Sequence, residues 1–198
     1  MIKPLKFGDQ KYIAPSWEEM GNLCFNLAKN IREKNKGKFN RLIALAKGGL
    51  TWSRTLADYL DISEMSTIQI RFYTDISARS NKPVIIQSLP IDVSSENVLL
   101  FDDVAESGDT LKMAKEYLSL CGANTVTTAV LFIKEWIEVK PDFYGDSTDA
   151  WVIFPHEIRE MTNLLTKKWE KENLNKNNVV KRLVKLGLPE NQVLYYLR

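Results

Sequence analysis

Apolar and polar positions along the chain alternate between short buried-looking runs and amphipathic segments. Met20, Leu23, Leu27, Ala28 and Ile31 recur at helical spacing. Ser16-Trp17-Glu18-Glu19 ahead of them, just after Pro15, has the spacing of a capping box. The run KNKGK ends that pattern. Residues 41–46 (RLIALA) are apolar and stop at Lys47-Gly48-Gly49, which predicts a buried strand. LTWSRTLADYL reads as the helix that follows. Ile68, Ile70 and Phe72 alternate, which predicts a second strand. Residues 74–83 (TDISARSNKP) are polar and end in proline, a loop. Residues 83–89 give a further strand. Residues 98–101 (VLLF) predict another core strand, closed by Asp102-Asp103, with a helix from Thr110. The β-branched stretch 125–132 predicts a strand, and Val152-Ile153-Phe154 a short one ended by Pro155.

Strands alternating with helices in this order predict an α/β fold with a largely parallel central sheet flanked by helices. Ligands of such sheets bind beyond the carboxyl ends of the strands. Lys47-Gly48-Gly49 and Asp102-Asp103 both fall at that end, so they are expected to share one crevice. The tail differs. Between residues 167 and 185 there are seven Lys or Arg and two Glu, with Asn175, Asn177 and Asn178 among them. NNVVKRLVKLG predicts a capped helix closing at Gly187, and PENQVLYYL a second one opening on proline. Residues 160–198 therefore read as a basic helical C-terminal extension of a domain spanning 1–159. No internal repeat is evident.

Composition narrows the function classes. The 198 residues are 44% hydrophobic and 26% charged, with a formal net charge of +2, a balance that by itself points to neither nucleic acid nor a membrane. No apolar run approaches the ~20 residues that span a bilayer. The first residues lack the apolar core of a signal peptide, so the cytoplasm is the expected location. Two cysteines, Cys24 and Cys121, form no disulfide framework. A lone histidine, His156, builds neither a histidine-rich metal site nor a histidine triad.

VLLFDDVAESGDT, residues 98–110, concentrates the chemistry. A turn at a helix N-terminus presents backbone N–H groups and positive potential, and Ser107 and Thr110 add hydroxyls: a phosphate cradle. Asp102 and Asp103 would repel a phosphate beside them. They suit sugar hydroxyls or hydrated Mg²⁺. The combination asks for a sugar phosphate. No P-loop is present, since GxxxxGK[ST] is absent and Gly108 is the turn's single glycine.

This stretch resembles the phosphoribosyl-pyrophosphate (PRPP) motif of type I phosphoribosyltransferases, and the resemblance extends from about Trp17 to Glu157. It implies that family's fold, with a small hood over the site. It implies that Asp102 and Asp103 hold the ribose hydroxyls near Mg²⁺, and that Ala105, Glu106, Ser107, Gly108, Asp109 and Thr110 cradle the 5-phosphate. Glu106 stands where the 6-oxopurine enzymes carry an acidic general acid/base near N7, usually aspartate. Orotate enzymes usually have threonine there. ALAKGGLTWSRTLADYL resembles the family's pyrophosphate turn, with Lys47, Gly48 and Gly49 as binding residues and a cis peptide at Ala46–Lys47. A lid over residues 73–83 would bring Tyr73, Arg79 and Lys82 to pyrophosphate. Phe72 replaces the serine common there.

The hood is expected over residues 134–157. Lys134 resembles the lysine that contacts O6 of the purine. DAWVIFP resembles the segment closing over the base in xanthine–guanine enzymes, with Trp151 stacking on the purine, Val152 reading its edge, and Glu157 near the exocyclic group and, with Asp103, the metal. His156, where relatives have tryptophan, reads as structural. The resemblance implies purine salvage with PRPP, a purine base and Mg²⁺, in a homodimer. The alternative is a non-catalytic regulator of the same fold that senses PRPP or nucleotide and binds nucleic acid through the basic tail. Glu106, Lys134 and the tryptophan segment argue against it, and Glu106 with Lys134 against adenine or pyrimidine enzymes.

Overall fold

The structure, a computed structural model, describes residues 3–35, 37–73 and 82–197. In chain order its elements are β1 (Leu5–Phe7), β2 (Gln10–Ile13), α1 (Trp17–Lys34), β3 (Arg41–Ala46), α2 (Leu50–Leu60), β4 (Glu64–Tyr73), β5 (Lys82–Gln87) and β6 (Asn97–Ala105). There follow α3 (Asp109–Leu120), β7 (Thr125–Lys134), β8 (Phe143–Thr148), β9 (Trp151–Val152), α4 (Ile158–Lys171), α5 (Lys176–Lys185) and α6 (Glu190–Tyr196). The chain divides into two compact units. One is Gly21–Thr148, and the other joins Met1–Met20 to Asp149–Arg198. Residues 159 and 160, where the sequence suggested a boundary, lie together inside α4.

The larger unit is the α/β body. Its six strands run in the order β5-β4-β3-β6-β7-β8. Every neighbouring pair is parallel except β4 and β5. The apolar runs RLIALA and VLLF sit in the two central strands because both faces of a parallel sheet are covered. Ile43, Leu45, Ile68, Leu100, Val130 and Leu118 meet in one core. From β3 the chain winds outward through α2 to β4. From β6 it winds the other way through α3 to β7 and β8. The boundary between β3 and β6 is therefore the topological switch point of the sheet, where such folds open a crevice.

The smaller unit holds the sheet β1-β2-β9 and helices α4, α5 and α6. Tyr12, Ile153, Met161, Leu165, Trp169, Val179, Leu183 and Val193 form its core. The capping box is present at its helix start: the Ser16 N–H donates to Glu19 Oε2 at 2.8 Å and the Glu19 N–H to Ser16 Oγ at 3.1 Å.

Three strands were not anticipated, and α4 was covered only by the general expectation of a helical extension over residues 160–198. β1 (LKF) and β2 (QKYI) are three and four residues long, too short to show a period. β8 (FYGDST) is an edge strand paired only with β7, so it needs no apolar run. In α4, by contrast, Met161, Leu165 and Trp169 do recur every four residues.

Candidate active site

The crevice at the switch point is built from two turns that interlock. β6 pairs with β3 only as far as Ala44↔Phe101, but with β7 on to Ala105↔Ile133. The strand thus runs four residues beyond its pairing with β3. Asp102 and Asp103 lie on that overhang, inside the strand and not after its end as expected. The space vacated by β3 is filled by Lys47-Gly48-Gly49, which turns the chain into α2.

The glycines are there because β6 is too close for a side chain. A Cβ on Gly49 would stand 2.6 Å from the Phe101 carbonyl oxygen and 3.2 Å from Asp102 Cα. A Cβ on Gly48 would stand 2.5 Å from Asp103 Oδ1. The Gly49 N–H donates to the Leu45 carbonyl at 2.9 Å, closing the turn. The Ala46–Lys47 peptide is cis, as the resemblance implied. Lys47 is exposed at its rim.

The carboxylates sit in unlike settings. Burial, and next the neighbouring Asp103 charge, push the Asp102 carboxyl well above the usual carboxylate range. The Asp103 N–H, donating to Asp102 Oδ1 at 2.9 Å, and the Gly49 N–H pull the other way. Asp103 itself is only 6% exposed. Two adjacent carboxylates held this way favour a cation or hydroxyl donors beside them. Among the described residues no group of three or more His, Cys, Asp or Glu could hold a metal. The pair fits Mg²⁺ on those terms, because that ion commonly takes one or two carboxylates and draws its other ligands from substrate oxygens and water.

Behind the pair, a cavity of about 420 Å³ is lined by Asp102, Val104, Ala105, Glu106, Ser107, Gly108, Thr110 and Leu111. Gly108 has φ +93°, the left-handed region, and turns the chain into α3. Val139, in the β7–β8 connection, braces the turn from behind: its N–H donates to the Ser107 carbonyl at 3.1 Å. α3 has no side-chain cap bond at Gly108, and the Asp109 N–H donates to Ser107 Oγ at 3.3 Å, so the N–H groups that follow Asp109 are the ones left for an anion. Ser107 Oγ donates to Asp109 Oδ2 at 2.8 Å, so its hydroxyl is already engaged within the turn. Glu106 is exposed at the cavity wall.

Lys134 ends β7 one position beyond Ile133, the partner of Ala105, so the sheet places it beside the start of the turn. It is 8% exposed, and its Nζ lies 5.5 Å from the Trp136 ring centroid. Tyr73 closes β4 and Lys82 opens β5, while Arg79 lies outside the described residues.

The remaining expected residues belong to the smaller unit. β9 pairs with β2 through Tyr12↔Trp151 and Ile13↔Val152. This leaves the Trp151 side chain 46% exposed, so it is not a core tryptophan, while Val152 is buried. Glu157 stands just before α4, and burial, with the Glu160 charge second, raises its carboxyl above the ordinary value. His156 packs between Phe154 and Trp17, at ring distances of 5.5 and 6.4 Å, and burial lowers its pKa. Nothing local to Val139 marks it as a brace, because that contact is made across some thirty residues.

Comparison with known proteins decides the family. The phosphoribosyl transferase domain family matches residues 16–159. The chain belongs to this family. A solved purine phosphoribosyltransferase from Pyrococcus horikoshii is 32% identical, with a TM-score of 0.65, covering 73% of this chain and 93% of that one. A xanthine-guanine phosphoribosyltransferase from Idiomarina loihiensis is 25% identical over 144 residues, 72% of this chain and 85% of that protein. A hypoxanthine-guanine phosphoribosyltransferase from Bacillus subtilis is 25% identical over 150 residues, 73% and 83%. The family match ends at residue 159, so it leaves out most of α4 and all of α5 and α6. Among the described residues no helix is long and apolar enough to cross a membrane.

Proposed function

We propose that this phosphoribosyltransferase is a purine salvage enzyme. It joins a 6-oxopurine (hypoxanthine, guanine or xanthine) to the ribose 5-phosphate of PRPP and releases pyrophosphate. The observation that carries the reading is the interlock of the Gly48-Gly49 turn with Asp102 and Asp103, beside a cavity floored by the 105–110 turn. That arrangement offers one end for phosphate, a middle for a diol, and a second anion site at Lys47. The purine and xanthine–guanine names of its relatives support the base class.

In this reading the N–H groups leading α3 hold the 5-phosphate, and Asp102 and Asp103 orient the ribose hydroxyls. The bond from the anomeric carbon to pyrophosphate breaks as the bond to the purine nitrogen forms. Lys47 and the Gly48 backbone receive the charge growing on pyrophosphate, with Tyr73 and Arg79 as lid residues. Glu106 takes up the proton that the base gives away. Mg²⁺ would be held by Asp103 and would neutralise phosphate charge when bound, while a metal role for Glu157 rests on the motif resemblance alone. Lys134 faces the O6 of the base, Trp151 stacks on it and the Val152 backbone reads its edge. These base-side roles rest on the motif resemblance.

The test is nucleotide formation from PRPP, Mg²⁺ and each of hypoxanthine, guanine, xanthine and adenine. The expected result is turnover with at least one oxopurine and none with adenine. Glu106→Gln should lower kcat/KM by about 10²–10⁴-fold. Absence of any nucleotide product would overturn the proposal.

A further inference from the structure

Along α5 the smaller unit carries a charged hollow for which the transferase reaction has no use. A cavity of about 390 Å³ is lined by Phe7, Leu174, Asn178, Lys181, Arg182 and Lys185. The last four fall at i, i+3, i+4 and i+7 of α5, one face of the helix. No carboxylate is among the lining residues.

Three other cations of this unit have partners. Lys11 pairs with Asp149 at 2.5 Å. Lys168 donates to Tyr12 Oη at 3.1 Å, and Lys176 to the Leu197 carbonyl. Lys181, Arg182 and Lys185 have no ion pair among the described residues. Like charges at i and i+4, as at Lys181 and Lys185, repel along a helix.

Arg182 is held in another way. Its guanidinium carbon lies 5.2 Å from the Phe7 ring centroid and 5.4 Å from that of the buried Trp169. Stacking on aromatic faces fixes the guanidinium plane and leaves its N–H edge for an acceptor. A fixed, planar donor with two flexible ammonium groups beside it matches phosphate oxygens. The rise from Lys181 to Lys185 is about 6 Å, and from Asn178 to Lys185 about 10 Å. That length exceeds one phosphate.

We propose that this hollow binds an anion bearing more than one phosphate, supplied by a free nucleotide polyphosphate or by a nucleic-acid strand. The proposal stands apart from the transferase chemistry, since every residue of the hollow lies outside the matched family region.

The test uses the full chain and two probes, a fluorescein-labelled uridylate 12-mer and inorganic tripolyphosphate, against wild type and the double variant Lys181→Ala, Lys185→Ala. Three phosphate contacts to a single strand predict a slope of log K on log salt of about −2, so that doubling the salt weakens binding about fourfold. The double variant should reduce the slope to about −0.7. Its circular dichroism and its turnover of PRPP should match wild type. Binding of the uridylate with those slopes identifies a strand as the source. Binding of tripolyphosphate alone, lost in the double variant, identifies a free polyphosphate. A second variant, Lys167→Ala with Lys171→Ala, removes the same charge from α4 and should leave binding intact. The proposal is overturned if neither probe binds. It is also overturned if the α5 variant binds as wild type does, or if both variants weaken binding equally.

Discussion

Alanine at position 48 is the smallest change that reaches the centre of the site. Its Cβ would lie 2.5 Å from Asp103 Oδ1 and 2.7 Å from both Asp103 Cγ and Oδ2. Ordinary contact begins near 3.4 Å, so the carboxylate has to retreat by about 0.9 Å. Asp103 is 6% exposed and packed within β6, which leaves it little room to do so. Overpacking of this kind costs about 1–3 kcal/mol of stability. A displacement near 1 Å in a group that positions substrate costs about 100-fold in rate, or about 3 kcal/mol of transition-state binding. The assay is kcat/KM for PRPP beside a thermal melt, with Gly21→Ala as the control. Gly21 lies in α1 with nothing within 4 Å of its would-be Cβ. Its alanine variant should be more stable by about 0.5–1 kcal/mol and equally active. A folded Gly48→Ala protein with kcat/KM within twofold of wild type would show that the Gly48–Asp103 contact does not position substrate.

Other positions give separate tests. The Asp102 carboxyl binds its proton more tightly folded than unfolded, so its contribution to stability is greatest at low pH and falls as pH rises from the unfolded value of 3.8 toward the raised one. Asp102→Asn should therefore raise the melting temperature more at pH 8 than at pH 4 while abolishing turnover, and a gain independent of pH contradicts the burial argument. Gly108→Ala puts a side chain at φ +93° and against the Val139 carbonyl, so it should lower stability and raise KM for PRPP, both read in one preparation. Ser16→Ala removes half of a reciprocal cap and should cost about 1 kcal/mol, a drop of about 3 °C by calorimetry, with activity unchanged. Trp169→Ala empties the middle of the C-terminal core and should cost about 3–5 kcal/mol, read by chemical denaturation.

Local chemistry made much of this fold legible in the sequence. RLIALA and LTWSRTLADYL are bounded by glycines and by period, and their observed limits agree with the pattern to the residue. The capping box at Ser16 and the cap at Asn175, whose Oδ1 accepts the Asn178 N–H at 2.9 Å, are likewise written locally. What stayed hidden depends on partners distant along the chain. β6 extends to Ala105 because β7 continues beside it, and nothing within DDVA announces that. β8 is a strand only through its pairing with β7. The grouping of the first twenty residues with the tail follows from Phe7 and Tyr12 packing near Trp169, a contact across some 160 residues. The motif residues 47–49 and 102–110 were found because their spacing is fixed by one turn each. Val139 escaped because only the folded chain brings it behind Gly108.

The most direct measurement is calorimetric titration of PRPP with Mg²⁺ into the Lys181→Ala, Lys185→Ala protein, which removes the C-terminal hollow as a competing anion site. One PRPP should bind per chain, with binding lost when Gly48→Ala or Asp103→Asn is added. No binding, or binding undiminished by both changes, would contradict the claim that the two interlocked turns form the PRPP site.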